Sequence, residues 1–403
     1  MTSKPKIIIL ITNSFPYGRA SANFLRFFTY CISETGNSIE VLIPTGDSSS
    51  IKDNKVKKGN INGIAFTHLG FINRPKNILG KAADSLLGLF MLHYNLFKRL
   101  FIRKVDTIVV YNPISINFPI LLGFKYIFKK ELIVIISEYY SKPSLPIWKF
   151  KKIKWYIFKF NADYLYRFAD KFIVFSEYLR NFIQSKFDQE KKILKIPNLI
   201  DPSLFTDSSN MEVFKQNTIT IGYVGTPTVK DGIYDLILSF GVLNKKHQNT
   251  HLLIIGDVIT GKSLLPGLKE FALQHKISIN TITFKGFLPQ NEVSVLLSKC
   301  QILALTRPSG VFAEAGFPTK LGEYFSLKKP VVVTRVGDMK HYFQHKVHVV
   351  FSNPGEIGTM VSAYEYLIKN PEEARKIGLN GYNWMLENLY YKSYIERINN
   401  FLD

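Results

Sequence analysis

Gly316-Phe-Pro-Thr-Lys-Leu-Gly-Glu-Tyr-Phe-Ser-Leu327, followed by Lys328-Lys-Pro330 and the run Val331-Val-Val-Thr334, is the stretch from which the rest of the chain can be read. Gly316 frees the backbone ahead of a helix, and Pro318 suits the first helical turn, where its missing N–H is no loss. The free amides of Thr319, Lys320 and Leu321 are then expected to point outward. Such a helix start holds phosphate through amides and dipole, and the Lys320 ammonium adds a direct charge contact. Glu323 lies one turn further in, where a carboxylate can accept hydrogen bonds from both hydroxyls of a ribose. The other reading is an ordinary proline-started amphipathic helix, against which the flanking loop and strand speak.

Around this segment short β-branched runs recur. Five precede residue 180: Lys6-Ile-Ile-Ile-Leu-Ile11, Ser38-Ile-Glu-Val-Leu-Ile43, Thr107-Ile-Val-Val110, Glu131-Leu-Ile-Val-Ile-Ile136 and Lys171-Phe-Ile-Val-Phe175. Six more follow residue 217: Thr218-Ile-Thr-Ile-Gly-Tyr-Val224, His251-Leu-Leu-Ile-Ile255, Thr281-Ile-Thr-Phe284, Ile302-Leu-Ala-Leu305, Val331-Val-Val-Thr334 and His348-Val-Val-Phe351. Runs apolar on both faces, separated by helix-length segments, predict parallel sheets covered on both sides. The polar stretch 201–217, with Asp207-Ser-Ser-Asn210 and no apolar periodicity, reads as a linker. The division is therefore a doubly wound, Rossmann-like domain over 1–200, a second over 218–384, and a helix over 385–403 returning to the first. At 403 residues the chain is about twice the size of one hydrophobic core, which agrees. Ligands of open parallel sheets sit beyond the strands' carboxyl ends, so two facing sheets predict an interdomain cleft.

Composition narrows the function classes. With 46% hydrophobic and 14% aromatic residues the chain is globular. The 52 Lys and Arg against 31 Asp and Glu give a formal charge of +21, which attracts nucleic acid, anionic membrane or phosphorylated small molecules. The segment 140–168 mixes lysines with Trp148, Trp155, Tyr156, Phe158, Phe160, Tyr164 and Tyr166. That mixture suits a lipid headgroup region, and it suits equally a solvated basic helix whose aromatics pack inward. Cys31 and Cys300, far apart and without metal-type spacing, fit a reducing cytoplasm. The apolar core at Ile7 to Ile11 is shorter than the roughly 7 to 15 residues of a signal peptide and reads as a first strand. The uncharged stretch 107–124 is interrupted by Asn112, Pro113, Asn117 and Pro119, so no transmembrane helix is predicted.

Other chemistries find little support. The one acid-x-acid pattern, Asp188-Gln-Glu190, lies in a charged turn and not after a strand, so metal-chelating donor binding is not expected. No phosphate-loop or Gly-x-Ser-x-Gly pattern supports an NTPase or a hydrolase, and the eight His lack zinc-like spacing.

On these residues the chain resembles the family 4 retaining glycosyltransferases, the "glycosyl transferases group 1" proteins of the GT-B fold. Ile196-Pro-Asn-Leu-Ile-Asp201 is similar to the family's Ile-Pro-Asn-Gly-Val-Asp at the start of the second domain, and Tyr223-Val-Gly-Thr-Pro-Thr-Val-Lys-Asp-Gly232 to its Gly-Arg…Lys-Gly loop. Leu253-Ile-Ile-Gly-Asp257, Phe284-Lys-Gly-Phe287 and Phe317-Pro-Thr-Lys-Leu-Gly-Glu-Tyr324 through Thr334 follow in family order and spacing. The resemblance implies donor contacts at Gly225, Thr226, Phe287, Pro318, Thr319, Lys320, Leu321 and Glu323. Glu323 matches the second Glu of the family's Glu-x7-Glu motif, which contacts the ribose. The first Glu would fall at Ala315, so Glu314, one residue early on a glycine-flanked loop, is the candidate for the donor sugar.

Two further departures shape the expected site. The family's loop Arg falls on Thr226 and its Lys on Asp231, leaving Lys230 either as the substitute cation for the leaving group or as a surface lysine. Many members carry a His after a late strand of the first domain. This chain offers Glu138, which is either a general base toward the acceptor or a loop carboxylate paired with a lysine. Ser14-Phe-Pro-Tyr-Gly-Arg-Ala-Ser-Ala-Asn23 is similar to the family's first loop, with Gly18 allowing close approach and Arg19 meeting phosphate, or else is a plain connection.

The resemblance implies a retaining, metal-independent transfer of a sugar from a nucleoside diphosphate sugar to a hydroxyl of a glycan, with no cofactor and no metal ligands. The basic aromatic segment suggests a lipid-linked acceptor at the anionic inner face of the cell membrane, in bacterial surface polysaccharide assembly by a cytoplasmic, peripheral enzyme. Three alternatives stand beside it: a catalytically silent partner subunit of a glycosyltransferase, given Thr226, Ala315 and the missing His; a nucleic-acid-binding protein, for which no recognition module is found; and, within enzymes, a sugar-nucleotide epimerase of the same fold.

Overall fold

The computed structural model describes residues 4–18, 20–46, 56–102, 104–113, 117–139, 149–187, 190–205, 218–258 and 261–403, with backbone alone at 149–152 and 154. Trp148 and most of the polar stretch 201–217 lie outside them. The chain divides into two compact units, 1–199 with 391–403, and 200–390.

The first unit is built on β1 (Ile7–Ile11), β2 (Ser38–Ile43), β3 (Lys58–Ile61), β4 (Ile64–His68), β5 (Thr107–Tyr111), β6 (Glu131–Ile136), β7 (Lys171–Val174) and β8 (Lys192–Lys195). They pair in the order β3-β4-β2-β1-β5-β6-β7-β8. All pairs are parallel except β3 with β4. The five strands expected from apolar runs form its middle, and β5 to β7 are buried along nearly their whole length, as strands covered on both faces must be. From β1 the chain steps outward to β2 and β4, then returns past β1 to β5, so the order of travel reverses between β1 and β5.

The helix Ile78–Ile102 makes that return. Its buried Asp84 carboxylate accepts from the amides of Gly46 and Phe71 and from Arg74 Nη1 at 3.3 Å. Leu92, Leu96 and Leu100, repeating every four residues, seat the rest of the same face. The 391–403 segment packs on the helix Ala20–Glu34: the Cys31 thiol meets the Tyr391 carbonyl at 3.1 Å and the rings of Phe27 and Tyr391 stack. Three lysines close the carboxyl end of the helix Ile395–Leu402. Lys171 Nζ donates to the carbonyls of Phe401 and Leu402, Lys192 Nζ to Asn400, and Lys6 Nζ to Leu402. Cations there oppose the dipole and satisfy carbonyls that the helix leaves unbonded.

The second unit holds β9 (Ile219–Val224), β10 (Thr250–Ile255), β11 (Ile282–Lys285), β12 (Ile302–Leu305), β13 (Val331–Thr334) and β14 (Val350–Ser352). All six correspond to runs read in the sequence, and all pair in parallel in the order β11-β10-β9-β12-β13-β14. One apolar layer, with Tyr223, Ile237, Phe240 and Tyr364, covers one face of the sheet. A second, with Leu303, Leu321, Tyr324 and Phe325, covers the other. The order reverses between β9 and β12, which pair only through Ile221 with Ile302 and Gly222 with Leu303. Beyond that point the strands diverge, and the Val224 amide donates to the Tyr324 hydroxyl at 3.0 Å. Such a reversal is where open α/β sheets hold ligands.

Candidate functional site

The loops that leave β9 and β12 at this reversal build the site of the second unit. Gly225 follows β9 with φ +135°, and a Cβ there would lie 2.3 Å from the Lys320 side chain. The missing Cβ is what admits Lys320. Its ammonium stands 2.6 Å from Asp231 Oδ2 and 3.0 Å from the Tyr223 hydroxyl, which is itself 3.0 Å from the same carboxylate oxygen and 3.2 Å from the Thr226 carbonyl. Burial holds the Tyr223 phenol well above its ordinary pKa, and the neighbouring Asp231 charge pushes the same way. Burial lowers the Lys320 pKa, and Asp231 opposes the fall. Thr226 lends this network only its carbonyl, its own side chain being exposed.

Gly232 then turns the chain into the helix Ile233–Lys246 at φ +66°. A Cβ at Gly232 would lie 1.7 Å from the Thr306 carbonyl oxygen, so the β9 and β12 loops touch backbone to backbone, and the Thr306 hydroxyl donates to the Gly232 carbonyl at 3.0 Å. Next to it Arg307, 5% exposed, donates to the carbonyls of Gly316 at 3.2 Å and Phe312 at 3.3 Å. Its guanidinium also lies 4.7 Å from the centroid of the Phe312 ring. Lys230 Nζ sits 4.2 Å from that centroid. Arg307 is near enough to Lys320 to lower its pKa further. Three cations from three parts of the chain thus gather at the carboxyl end of the sheet, among them one that sequence reasoning missed. The available signal for Arg307 was its place two residues beyond a buried parallel strand.

The helix Thr319–Ser326 begins one residue later than expected. Pro318, with φ −74° and ψ +118°, is its cap and not part of its first turn. A second correction concerns Leu321, whose amide is not free: it donates to the Pro318 carbonyl at 3.2 Å, the tight i to i−3 closure common at helix ends. The amides of Thr319 and Lys320 bond to no other described residue. One turn on, Glu323 is half-buried, and its carboxylate makes no hydrogen bond or ion pair with another described residue. Burial pushes its carboxyl up to about 7, with the Lys320 charge opposing. Glu314, on the short helix Val311–Ala315, turns its Oε1 to the Gly337 amide at 3.1 Å, while Ala315 is fully buried. Phe287, after β11, is 57% exposed.

The remaining candidates lie on the first unit. Gly18, at φ +145°, follows β1, and Arg19 lies outside the described residues. Glu138 follows β6, half-buried and unpaired with any described lysine. Beside it Ser137 is tied to the β5 end, its amide donating to Asn112 Oδ1 at 2.9 Å and its hydroxyl accepting from Asn112 and Tyr111. Within 140–168 the aromatics divide: Phe158 and Tyr166 are buried, whereas Tyr156, Phe160 and Tyr164 are exposed.

Residues 205–384 match the family described as Glycosyl transferases group 1. Over 98% of its length the chain is similar to the crystal structure of HepE from Anabaena in complex with UDP-glucose, covering 99% of it at 16% identity and a TM-score of 0.70. Sucrose-phosphate synthase from Thermosynechococcus elongatus is matched over 98% of both chains at 13% identity and a TM-score of 0.75. WaaG, a glycosyltransferase involved in lipopolysaccharide biosynthesis, is matched over 98% of this chain and 99% of its own at 13% identity and a TM-score of 0.68. No curated protein matches the sequence. The likeness to solved structures establishes the fold, the GT-B class of two Rossmann-like parallel-sheet units.

Proposed function

With residues 205–384 belonging to the glycosyl transferases group 1 family, the chain is a glycosyltransferase, and we propose that its second unit holds the nucleoside diphosphate of a sugar donor. The observation that carries this reading is Glu323: a half-buried carboxylate with no partner among the described residues, one turn beyond the Lys320 ammonium and two amides that bond to no other described residue. A carboxylate left without a partner under partial burial costs stability, and two ribose hydroxyls would supply the missing donors. The amides of Thr319 and Lys320 with the Lys320 charge suit a diphosphate. The solved complex of HepE with UDP-glucose supports the nucleotide-sugar class.

In this reading the bond between the sugar's anomeric carbon and the diphosphate breaks, and negative charge grows on the leaving phosphate oxygen. Lys320, Lys230 and Arg307 surround the place where that charge develops and are fixed beforehand by Asp231, Phe312 and two carbonyls, so they need little reorganisation. Three resident cations can take the part of a metal ion, which supports a metal-independent transfer. Glu314 keeps one oxygen for a hydroxyl of the donor sugar while Gly337 holds the other. The first unit takes the acceptor, a glycan hydroxyl, with Glu138 receiving its proton as the new glycosidic bond forms with retention. The acceptor is a lipid-linked glycan, met at the anionic inner face of the cell membrane during surface polysaccharide assembly. Lysines and exposed aromatics on the first unit support that placement.

Screening UDP-, GDP- and ADP-sugars for thermal stabilisation and slow hydrolysis tests the reading. One donor class should raise the melting temperature and be hydrolysed. Stabilisation without any hydrolysis, with or without glycan acceptors, would instead favour a silent partner subunit. Unchanged donor binding in a well-folded Glu323→Ala protein would sink the ribose assignment.

A further inference from the structure

The helix Ile78–Ile102 is apolar on two opposite faces, and the fold uses one. Its inner face is settled by Asp84, Leu92, Leu96 and Leu100. Its outer face carries Leu79, Leu86, Phe90, Phe97 and Phe101, which are 83%, 65%, 68%, 49% and 74% exposed. Residues 86, 90, 97 and 101 recur at helical spacing and form one stripe, where a surface helix of a globular protein is ordinarily charged or polar. Single exposed apolar residues are ordinary, whereas a contiguous set marks a contact surface.

The stripe does not end with its helix. Phe97 meets Phe128 edge-on at 5.8 Å on the neighbouring helix Asn117–Phe128, which also exposes Ile127 at 75%. Tyr126 of that helix meets Phe168 at 6.4 Å. Among the described residues, 78–130 contain seven Lys and Arg and two acidic residues, one of them the buried Asp84, and of the seven Arg99 pairs with Glu40 and Lys125 with Asp170. Lys81, Lys98 and Lys129 are exposed. Aromatic and aliphatic side chains fringed by lysines match a bilayer surface, with rings at the boundary of headgroups and acyl chains and ammonium groups at lipid phosphates. Among the described residues no helix is long and apolar enough to cross a membrane, so contact here is contact from one side.

We propose that the outer face of the helix Ile78–Ile102, continued by the helix Asn117–Phe128, is the surface on which the protein docks to an anionic lipid bilayer. The proposal rests on the peripheral-membrane part of the function proposed above and locates it on these two helices, beside the end of the segment 140–168, whose aromatics are divided between core and solvent.

Flotation of the full chain with vesicles of phosphatidylcholine alone and of phosphatidylcholine with phosphatidylglycerol provides the test, with melting temperature and donor hydrolysis in solution as controls. The native protein should float with the anionic vesicles. L86S/F90S/F101S should lower its partition coefficient at least about tenfold, with donor hydrolysis unchanged. K81Q/K98Q/K129Q should weaken anionic binding severalfold and leave the apolar contact in place. Native-like flotation of the serine variant overturns the assignment of this face while leaving the membrane reading standing. Failure of the native protein to float with either vesicle overturns both. A dimer that the serine variant dissolves, without vesicle binding, assigns the face to self-association and overturns the proposal. Should the serine variant unfold, Phe101→Cys carrying an environment-sensitive dye decides the matter, because both native thiols are buried and burial pushes each up to about 12. Its emission should rise on adding anionic vesicles, and a dye that stays in water overturns the proposal.

Discussion

Lys320 Nζ stands 2.6 Å from Asp231 Oδ2, so the position where the family resemblance calls for a cation holds instead the anion that restrains one from another helix. Asp231→Asn should leave the Lys320 charge half-buried without a counter-charge and cost about 1–3 kcal/mol of stability, read as a lower melting temperature. Affinity for the nucleoside diphosphate should tighten a few-fold by calorimetry, since the ammonium no longer divides its attraction. A loss of affinity would show that Asp231 positions Lys320 for the ligand and does not compete with it.

Glu323 gives a pH dependence whose sign can be worked out. Its carboxyl is raised from 4.5 to about 7, so between those values the folded protein keeps a proton that the unfolded chain has released. Stability from this group is present at low pH and lost as pH rises through 7. Glu323→Gln should therefore stabilise the protein by about 1–2 kcal/mol near pH 8 and change little near pH 5. Donor affinity should run the other way in the native protein, weakening below pH 7 as the acceptor oxygens gain a proton. Calorimetric titrations of both proteins across this range would reveal a parallel pH dependence if Glu323 were not the group involved.

Two glycine substitutions separate folding from binding. At Gly232 a methyl group would meet the Thr306 carbonyl, which is backbone and cannot yield, so Gly232→Ala should cost more than about 3 kcal/mol in denaturant titration. At Gly225 the obstacle is the end of the Lys320 side chain, which can move. Gly225→Ala should cost about 1–2 kcal/mol in backbone strain while weakening donor binding about tenfold through displacement of the ammonium. Equal losses of binding per unit of lost stability in both variants would contradict this division.

Arg307 binds two carbonyls from opposite ends of the Val311–Ala315 helix, and a single ammonium cannot copy that fork. Arg307→Lys should cost about 2 kcal/mol, and Arg307→Ala more, with both slowing donor hydrolysis because Phe312 and the helix start lose their tether. Native rates in the lysine variant would show that charge alone is what the site requires.

What the sequence disclosed follows from how local each signal is. The six strands of the second unit declare themselves because each is a short apolar run, and Glu323 because it sits at fixed distance from Gly316 and Pro318, which lead into its helix. The β3–β4 hairpin went unread although Asn62-Gly63, both at positive φ, is a strong turn signal, because Lys58-Gly-Asn-Ile61 is a polar edge strand without an apolar run. The pairing of Lys320 with Asp231 and the meeting of Lys230 and Arg307 at one ring depend on loops that only the folded sheet brings together. The outer stripe of the helix Ile78–Ile102 was hidden by its own inner face, since two apolar faces in one helix blur into a plain apolar segment.

The second unit begins and ends in one place: the Ile200 amide bonds to the Leu389 carbonyl at 2.9 Å, and Ile200 bridges Tyr390. It is an insertion within the first unit, which resumes at Tyr391. During synthesis the ribosome therefore delivers every residue of the second unit before the segment that Cys31, Lys6, Lys171 and Lys192 are waiting to hold. The unit that starts first is finished last, and the second unit is free to fold as soon as its own ends have met.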